Sequence, residues 1–461
     1  MATKEQQLQL GCEVAEFFTR RPGIEFVDFA GLGRHGGALL LEEKDDQGKL
    51  SRKLVIKYSL GALTSDRHSN ADDDLRNEYR WLEMLRGAEH IVRLVPFADC
   101  SLNLPGISNG EDTIEDSLAK MSVTAEAQNN EGETSARGAK LTKEPLTVRK
   151  CPTFALEYLP NGTILQLVNR LVRHSRLIPN RMMWRIWLCM VRQCVAMAFP
   201  PQQSPENYSP ERERFIPNSE FFTLTQNSSH MANFVFAEES PLFPDSDHDP
   251  GVPPVKCVVL GTIFFPFWQL LEHKIFFQGQ DSIYKLLKPS RITLKIAMTD
   301  SECYRLIDFG RGRVENPTDY EKDELPNLYE CGARLNLWGA ASVMAELACP
   351  LADEEELESD HPHAYHYWKN NREHMVLTEA PPAVRQSAEM DIALRDTIAR
   401  CMAAGLEDTP PLQEVLEEAE DQVANRGPDD DPYLEEQMDL EESDRYIRGF
   451  LQRFIFNASA R

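Results

Sequence analysis

The chain has 461 residues, 42% of them apolar, which is enough for one sizeable domain with tails and a buried core. Its formal net charge of −25 argues against nucleic acid as a general partner, because a phosphate backbone would be repelled; a basic protein surface is an easier partner. The ten cysteines show no C-x-x-C spacing, which argues against zinc and reads as buried or free thiols of a reducing compartment, an intracellular setting in cytoplasm or nucleus.

Met1 to Gln7 is polar and lacks the charged-then-apolar pattern of a signal peptide. Leu8 to Phe18 is expected to form an extra helix ended by Pro22-Gly23, so that residues 1–23 make an N-terminal helical extension. Gly31-Leu-Gly33-Arg-His-Gly36-Gly37-Ala38 then lies between the apolar runs Phe26–Phe29 and Leu39–Leu41, and reads as a hairpin whose turn lacks side chains. Backbone amides of such a turn could close over phosphates. A dinucleotide fold would need a helix directly after the glycines, and an extended run with the charged turn Glu42–Lys49 follows instead.

Lys57 ends the β-branched strand Lys53–Tyr58. Glu78 sits in Leu75–Leu85, whose apolar positions 75, 79, 82 and 85 follow a helical period. His90–Val95 reads as the next strand. Alone, these are a strand-end lysine and a solvated helix glutamate; their order after a glycine hairpin is what carries the signal. Residues 104–150 then turn to Asn, Glu, Ser, Thr, Gly and Ala, and are expected to be a disordered insert, with a phosphorylatable loop as the functional alternative.

Phe154-Ala-Leu156-Glu157-Tyr158-Leu159-Pro-Asn-Gly162 follows the insert, and Asn180–Phe199 is apolar around most of its circumference, as a buried helix would be. Pro200–Asn227, rich in Pro, Gln, Asn and Ser, reads as a surface excursion. Ser228-Ser-His230-Met-Ala-Asn233 leads into the short strand Phe234–Phe236. Residues 240–302 form an atypical stretch, strongly apolar from Val258 to Leu271. A membrane span there is too short, contains Pro266 and is cut off by Glu272-His-Lys274, so an amphipathic surface segment or a retained intron is the better reading. The pattern resumes at Tyr304-Arg-Leu-Ile-Asp308-Phe309-Gly310-Arg311.

In this order the motifs resemble the eukaryotic protein-kinase family, most of all the divergent protein-kinase-like proteins of filamentous fungi. The resemblance runs from about residue 24 to 420 and weakens toward the C-terminus. It implies an α+β bilobal fold over residues 24–425, with a small antiparallel β lobe carrying one main helix and a larger, mainly helical lobe. It further implies ATP and Mg²⁺ as cofactors: Gly31, Gly33 and Gly36 as the lid, Lys57 on the phosphates, Glu78 clamping Lys57, backbone groups from Glu157 to Leu159 on adenine with Leu156 as gatekeeper, and Asn233 and Asp308 on the metal.

The departures bear on activity. The family places a catalytic Asp five residues before the Asn; here that residue is Ser228, which has no proton-accepting group of its own, with His230 as a conceivable substitute base. No Ala-Pro-Glu equivalent follows Asp308, Asn336-Leu-Trp338 stands where the family has an Asp and a Trp, and Thr409-Pro410-Pro411 replaces an Arg-Pro pair. The interval from Asn233 to Asp308 is about fifty to sixty residues longer than the family's hairpin. The resemblance therefore implies weak or absent transfer of the ATP γ-phosphate to a protein hydroxyl, or a pseudokinase working as scaffold or allosteric partner; a small-molecule phosphotransferase would need the missing Asp equally.

Toward the end, His361-Pro-His363-Ala-Tyr-His366 beside Asp353–Glu356 reads as a solvated charged loop, with a divalent metal as the sharper alternative. Residues 426–461 read as an acidic tail, nine carboxylates between 429 and 444 keeping it exposed, closed by an amphipathic helix. There Ile447, Phe450, Leu451 and Phe454 share one face that would dock on the domain or on a partner.

Overall fold

The computed structural model describes residues 3–33, 36–63, 71–97, 100–103, 151–201, 211–216, 224–225, 230–237, 255–257, 331–352, 357, 362–405, 408–425 and 442–457. It is a mixed α+β chain with a small antiparallel sheet and several helices, dividing into two compact units: residues 1–79 with 94–158, and residues 80–93 with 159–461. No helix among the described residues is long and apolar enough to cross a membrane. The insert 104–150, Asp308 with its flanking motif, and the apolar run 258–271 lie outside the described residues.

In the first unit, helix α1 (Lys4–Thr19) starts at Thr3, whose side chain accepts from the Gln6 amide while Gln6 reaches back to the Thr3 N–H. This reciprocal cap satisfies donors that the first helical turn leaves open. Strands β1 (Ile24–Leu32), β2 (Gly36–Lys44), β3 (Leu50–Ser59) and β4 (Thr153–Glu157) pair antiparallel in that order. Because strand side chains alternate, Leu39 and Leu41 of β2 and Leu54, Ile56 and Tyr58 of β3 share one face, buried with Leu10, Val14 and Phe18 of α1. Each such aliphatic side chain contributes about 1.5–3 kcal/mol by leaving water. The expected N-terminal extension is thus part of this core. Gly11 lets α1 approach closely, since a Cβ there would stand 2.5 Å from the Phe29 ring and the Tyr58 hydroxyl.

Helix α2 (Ala71–Met84) follows, its first turn carrying Asp72, Asp73 and Asp74, a favourable place for negative charge. The stretch His90–Val95 differs from the strand expected of it: only Ile91 and Leu94 make isolated bridges, Leu94 with Leu156. Its first residues are held otherwise, His90 donating its backbone N–H to the Glu213 carboxylate at 2.7 Å.

In the second unit, α3 (Ile164–His174) is capped by Thr163, and α4 (Asn180–Ala198) is buried along its whole length, as its all-round apolar character requires. Strands β5 (Phe234–Phe236) and β6 (Val255–Cys257) pair antiparallel, so the stretch 240–302 read as atypical contains a strand of the fold. Helix α5 (Cys331–Ala348) packs on α4, and the hairpin of β7 (His363–Lys369) and β8 (Arg372–Thr378) turns at Asn370 and Asn371, both with positive φ. Residues 363–366 are therefore strand and not the charged loop expected. Helices α6 (Pro382–Arg385), α7 (Ile392–Cys401) and α8 (Leu412–Asn425) follow, and buried Arg192 of α4 reaches Glu420 of α8 at 2.8 Å.

Most of the run read as an exposed acidic tail, residues 426–441, lies outside the described residues; Asp444 is exposed as expected, and Glu442 is not. Glu442 is buried and its carboxylate accepts from the amides of Asn180 and Arg181 at 2.6 and 3.0 Å, closing the N-terminus of α4, where Pro179 supplies no side-chain cap. Helix α9 (Asp444–Leu451), continued by a wider turn at Gln452–Phe456, buries Ile447, Phe450, Leu451 and Phe454. Phe454 lies edge-on to His174 of α3, with ring centroids 5.5 Å apart. The amphipathic helix docks on its own unit.

Candidate functional site

Strand β3 carries Lys57 opposite Ala38 of β2 and Phe154 of β4, on the face turned away from Ile56 and Tyr58. Helix α2 brings Glu78 to it: the Lys57 ammonium donates to Glu78 Oε1, and the two side chains are only 8% and 1% exposed. The Phe154 ring lies 5.9 Å from the ammonium and 5.8 Å from the Tyr79 ring, so aromatic groups exclude water around the pair. At the end of β3 the Ser59 hydroxyl donates to Asp72 Oδ1 at 2.5 Å, tying the start of α2 to the strand. Burial pulls the Lys57 ammonium below the usual lysine range, more than Glu78 beside it holds it up. One fixed cation here can hold an anionic group.

The glycines of the β1–β2 hairpin have separate reasons. A Cβ at Gly37 would strike the Tyr58 ring at 2.3 Å, and one at Gly36 would meet the Tyr58 carbonyl at 2.9 Å. The Gly33 N–H donates to the Gly36 carbonyl at 2.9 Å. Packing thus explains Gly36 and Gly37. Gly31, unlike Gly36 and Gly37, has open space beside it, with nothing within 4 Å of a built Cβ.

Along the run read as adenine-binding, Leu156 is buried in β4, Glu157 pairs with Leu54 of β3, and Leu159 is partly exposed. Asn233 belongs to the second unit, fully buried at the end of the short turn Met231–Asn233 before β5. Lys57 and Glu78 are therefore the sequence-derived site residues brought together by direct contact. Ser228 and Asp308 lie outside the described residues.

His230 opens the Met231–Asn233 turn, its Nδ1 accepting from the Ala232 amide at 3.2 Å. Burial pushes this imidazole below the usual histidine range, toward the neutral form. A neutral ring that accepts through Nδ1 carries its proton on Nε2, so neither nitrogen has a lone pair to spare. The engagement of Nδ1 in the turn counts against His230 as a substitute base.

A second buried cluster went unrecognised in the sequence. His90 Nδ1 lies 2.7 Å from Glu213 Oε2, both side chains being 1% exposed. Burial alone would lower the His90 pKa, but Glu213, with Cys189, pushes it up to about 10, while His90 holds Glu213 below the usual carboxylate range. Glu213 lies within the polar run read as a surface excursion, and nothing in its local pattern marks it as core. Among the exposed groups weighed for metal binding, His366 pairs with Glu373 at 3.0 Å across β7 and β8, both more than half exposed. His361 lies outside the described residues. The chain matches no family model and no curated protein.

Proposed function

We propose that this chain is a protein-kinase-like, nucleotide-binding protein of bilobal design, in which Lys57, clamped by Glu78, holds the phosphates of ATP. The observation that carries the reading is the buried Lys57–Glu78 pair between a strand and a helix that follow a glycine hairpin. An ammonium buried with one carboxylate is costly as a purely structural device, since apolar residues of similar volume would serve stability as well. A pre-placed cation beside the hairpin suits a triphosphate, and the open space at Gly31 leaves room for it. Asn233, whose side chain offers an amide oxygen, and Asp308 would hold Mg²⁺, which supplies charge neutralisation on the phosphates when bound.

The function favoured within this class is binding with weak or absent phosphotransfer, the protein acting as scaffold or allosteric partner. Ser228 stands five residues before Asn233, and His230 has its acceptor nitrogen committed to the Ala232 amide, so no base for the substrate hydroxyl is supplied from this loop. The test is thermal unfolding of the full chain with Mg²⁺ and ATP, singly and together. A stabilisation that needs both and is lost in Lys57→Met and Asp308→Asn supports the reading; ligand at about 100 times its Kd adds about 2.7 kcal/mol. No shift at saturating nucleotide refutes it.

A further inference from the structure

Glu89, His90 and Glu213 make up a fully buried group in the second unit. One carboxylate oxygen of each glutamate and a ring nitrogen of His90 all lie within 4.8 Å of one another. The backbone sets them side by side: Ala88 and Glu211 form a parallel bridge, the Glu89 N–H donates to the Glu211 carbonyl at 3.2 Å, and the Glu211 N–H donates to the Gly87 carbonyl at 2.8 Å. Glu213 is satisfied by the ring and the backbone N–H of His90. Glu89 is in a different position. It is only 5% exposed, and among the described residues its carboxylate makes no hydrogen bond or ion pair.

Two carboxylates facing one imidazole, in a group of residues each no more than about a twentieth exposed, leave excess negative charge. A divalent cation removes that imbalance. We propose that Glu89, His90 and Glu213 bind a divalent transition metal ion of the zinc type, as its three protein ligands. One imidazole nitrogen with two carboxylate oxygens is a donor set that zinc accepts, and the imidazole disfavours magnesium and calcium, which prefer oxygen alone. The proton on the ligating nitrogen of His90 leaves to solvent on binding, and the two carboxylates then balance the two charges of the ion. The cysteine spacing reads as evidence against zinc, but it bears on thiolate ligands alone, and this site needs none. Its role is structural: it ties residues 87–90 to 211–213, segments remote in sequence.

The test uses the full-length chain, stripped with EDTA and re-equilibrated with Zn²⁺ or, for its visible spectrum, Co²⁺. Metal retained after gel filtration, the Co²⁺ absorption and the Tm are read for the wild type, for Glu89→Gln, and for His363→Ala/His366→Ala as control for the exposed hairpin histidines. Glu89→Gln removes an unpartnered buried charge and should fold at least as well without metal as the wild type, which its circular dichroism and urea midpoint check. The expected result is one ion per chain and a metal-dependent rise in Tm in the wild type and the hairpin control, with about tenfold or greater loss of affinity and no Tm response in Glu89→Gln. Failure of the wild type to retain metal, or equal retention by Glu89→Gln, overturns the proposal and leaves a hydrogen-bonded ion pair.

Discussion

Removing one partner of the Lys57–Glu78 pair should cost far more than removing both. The two side chains are 8% and 1% exposed, so Glu78→Leu leaves an ammonium in a site that water does not reach, at a cost of about 3–5 kcal/mol. Lys57→Met strands the carboxylate instead, at a similar cost near neutral pH that shrinks as the pH falls, because Glu78 can take up a proton. The double variant Lys57→Met/Glu78→Leu replaces both charges with apolar groups of comparable volume beside Phe154, and should lie within about 1 kcal/mol of the wild type. The coupling energy of this cycle is then about 5 kcal/mol or more, against about 0.5 kcal/mol for sites out of contact. Equilibrium urea unfolding of the four proteins, followed by far-ultraviolet circular dichroism, measures it. Single variants that each cost less than about 1 kcal/mol and simply add in the double would refute the reasoning, since they would mean a hydrated pair.

Three further outcomes follow from the same geometry. Burial holds Lys57 below its ordinary value of 10.5 in the folded state, so the unfolded chain binds that proton more tightly. The stability of the wild type relative to Lys57→Met should therefore rise as the pH climbs through the window below 10.5, and a flat or falling difference in pH-dependent urea titrations contradicts the assignment. Gly37→Ala forces a methyl group to 2.3 Å from the Tyr58 ring and should cost about 1–3 kcal/mol, whereas Gly31→Ala, with open space, should stay within about 0.5 kcal/mol; equal midpoint shifts would show the hairpin to be packed differently. Glu442→Ala removes the acceptor of the Asn180 and Arg181 amides and should destabilise the second unit by about 1–3 kcal/mol, so an unchanged midpoint would place the segment before α9 off the end of α4.

Helices α1, α2 and α4 and the β1–β2–β3 meander were readable from the chain because their information is local: apolar positions at a helical period, alternation along strands, and glycines where the chain reverses. The Lys57–Glu78 contact was readable for a different reason, as the order of hairpin, strand and helix carries the resemblance that implies it. The amphipathic face of α9 was equally plain, though only packing showed that it docks on its own unit, against α3.

Other features belong to the tertiary structure alone. Glu213 sits in a polar, proline-rich run and Glu442 in an acidic one, and each carboxylate is drawn into the interior by partners remote in sequence, His90 for the first and the amides at the start of α4 for the second. No periodicity can announce such a pairing, because burial of a charge depends on what the fold brings to it. The same holds for His90–Val95, whose β-branched composition suggested a strand, while the hydrogen bonds of His90 to Glu213 take its first residues out of any ladder. Local pattern determined the first helices and the first three strands; which charges are buried, and which partners they meet there, was decided by packing, since an isolated side chain carries no record of its neighbours.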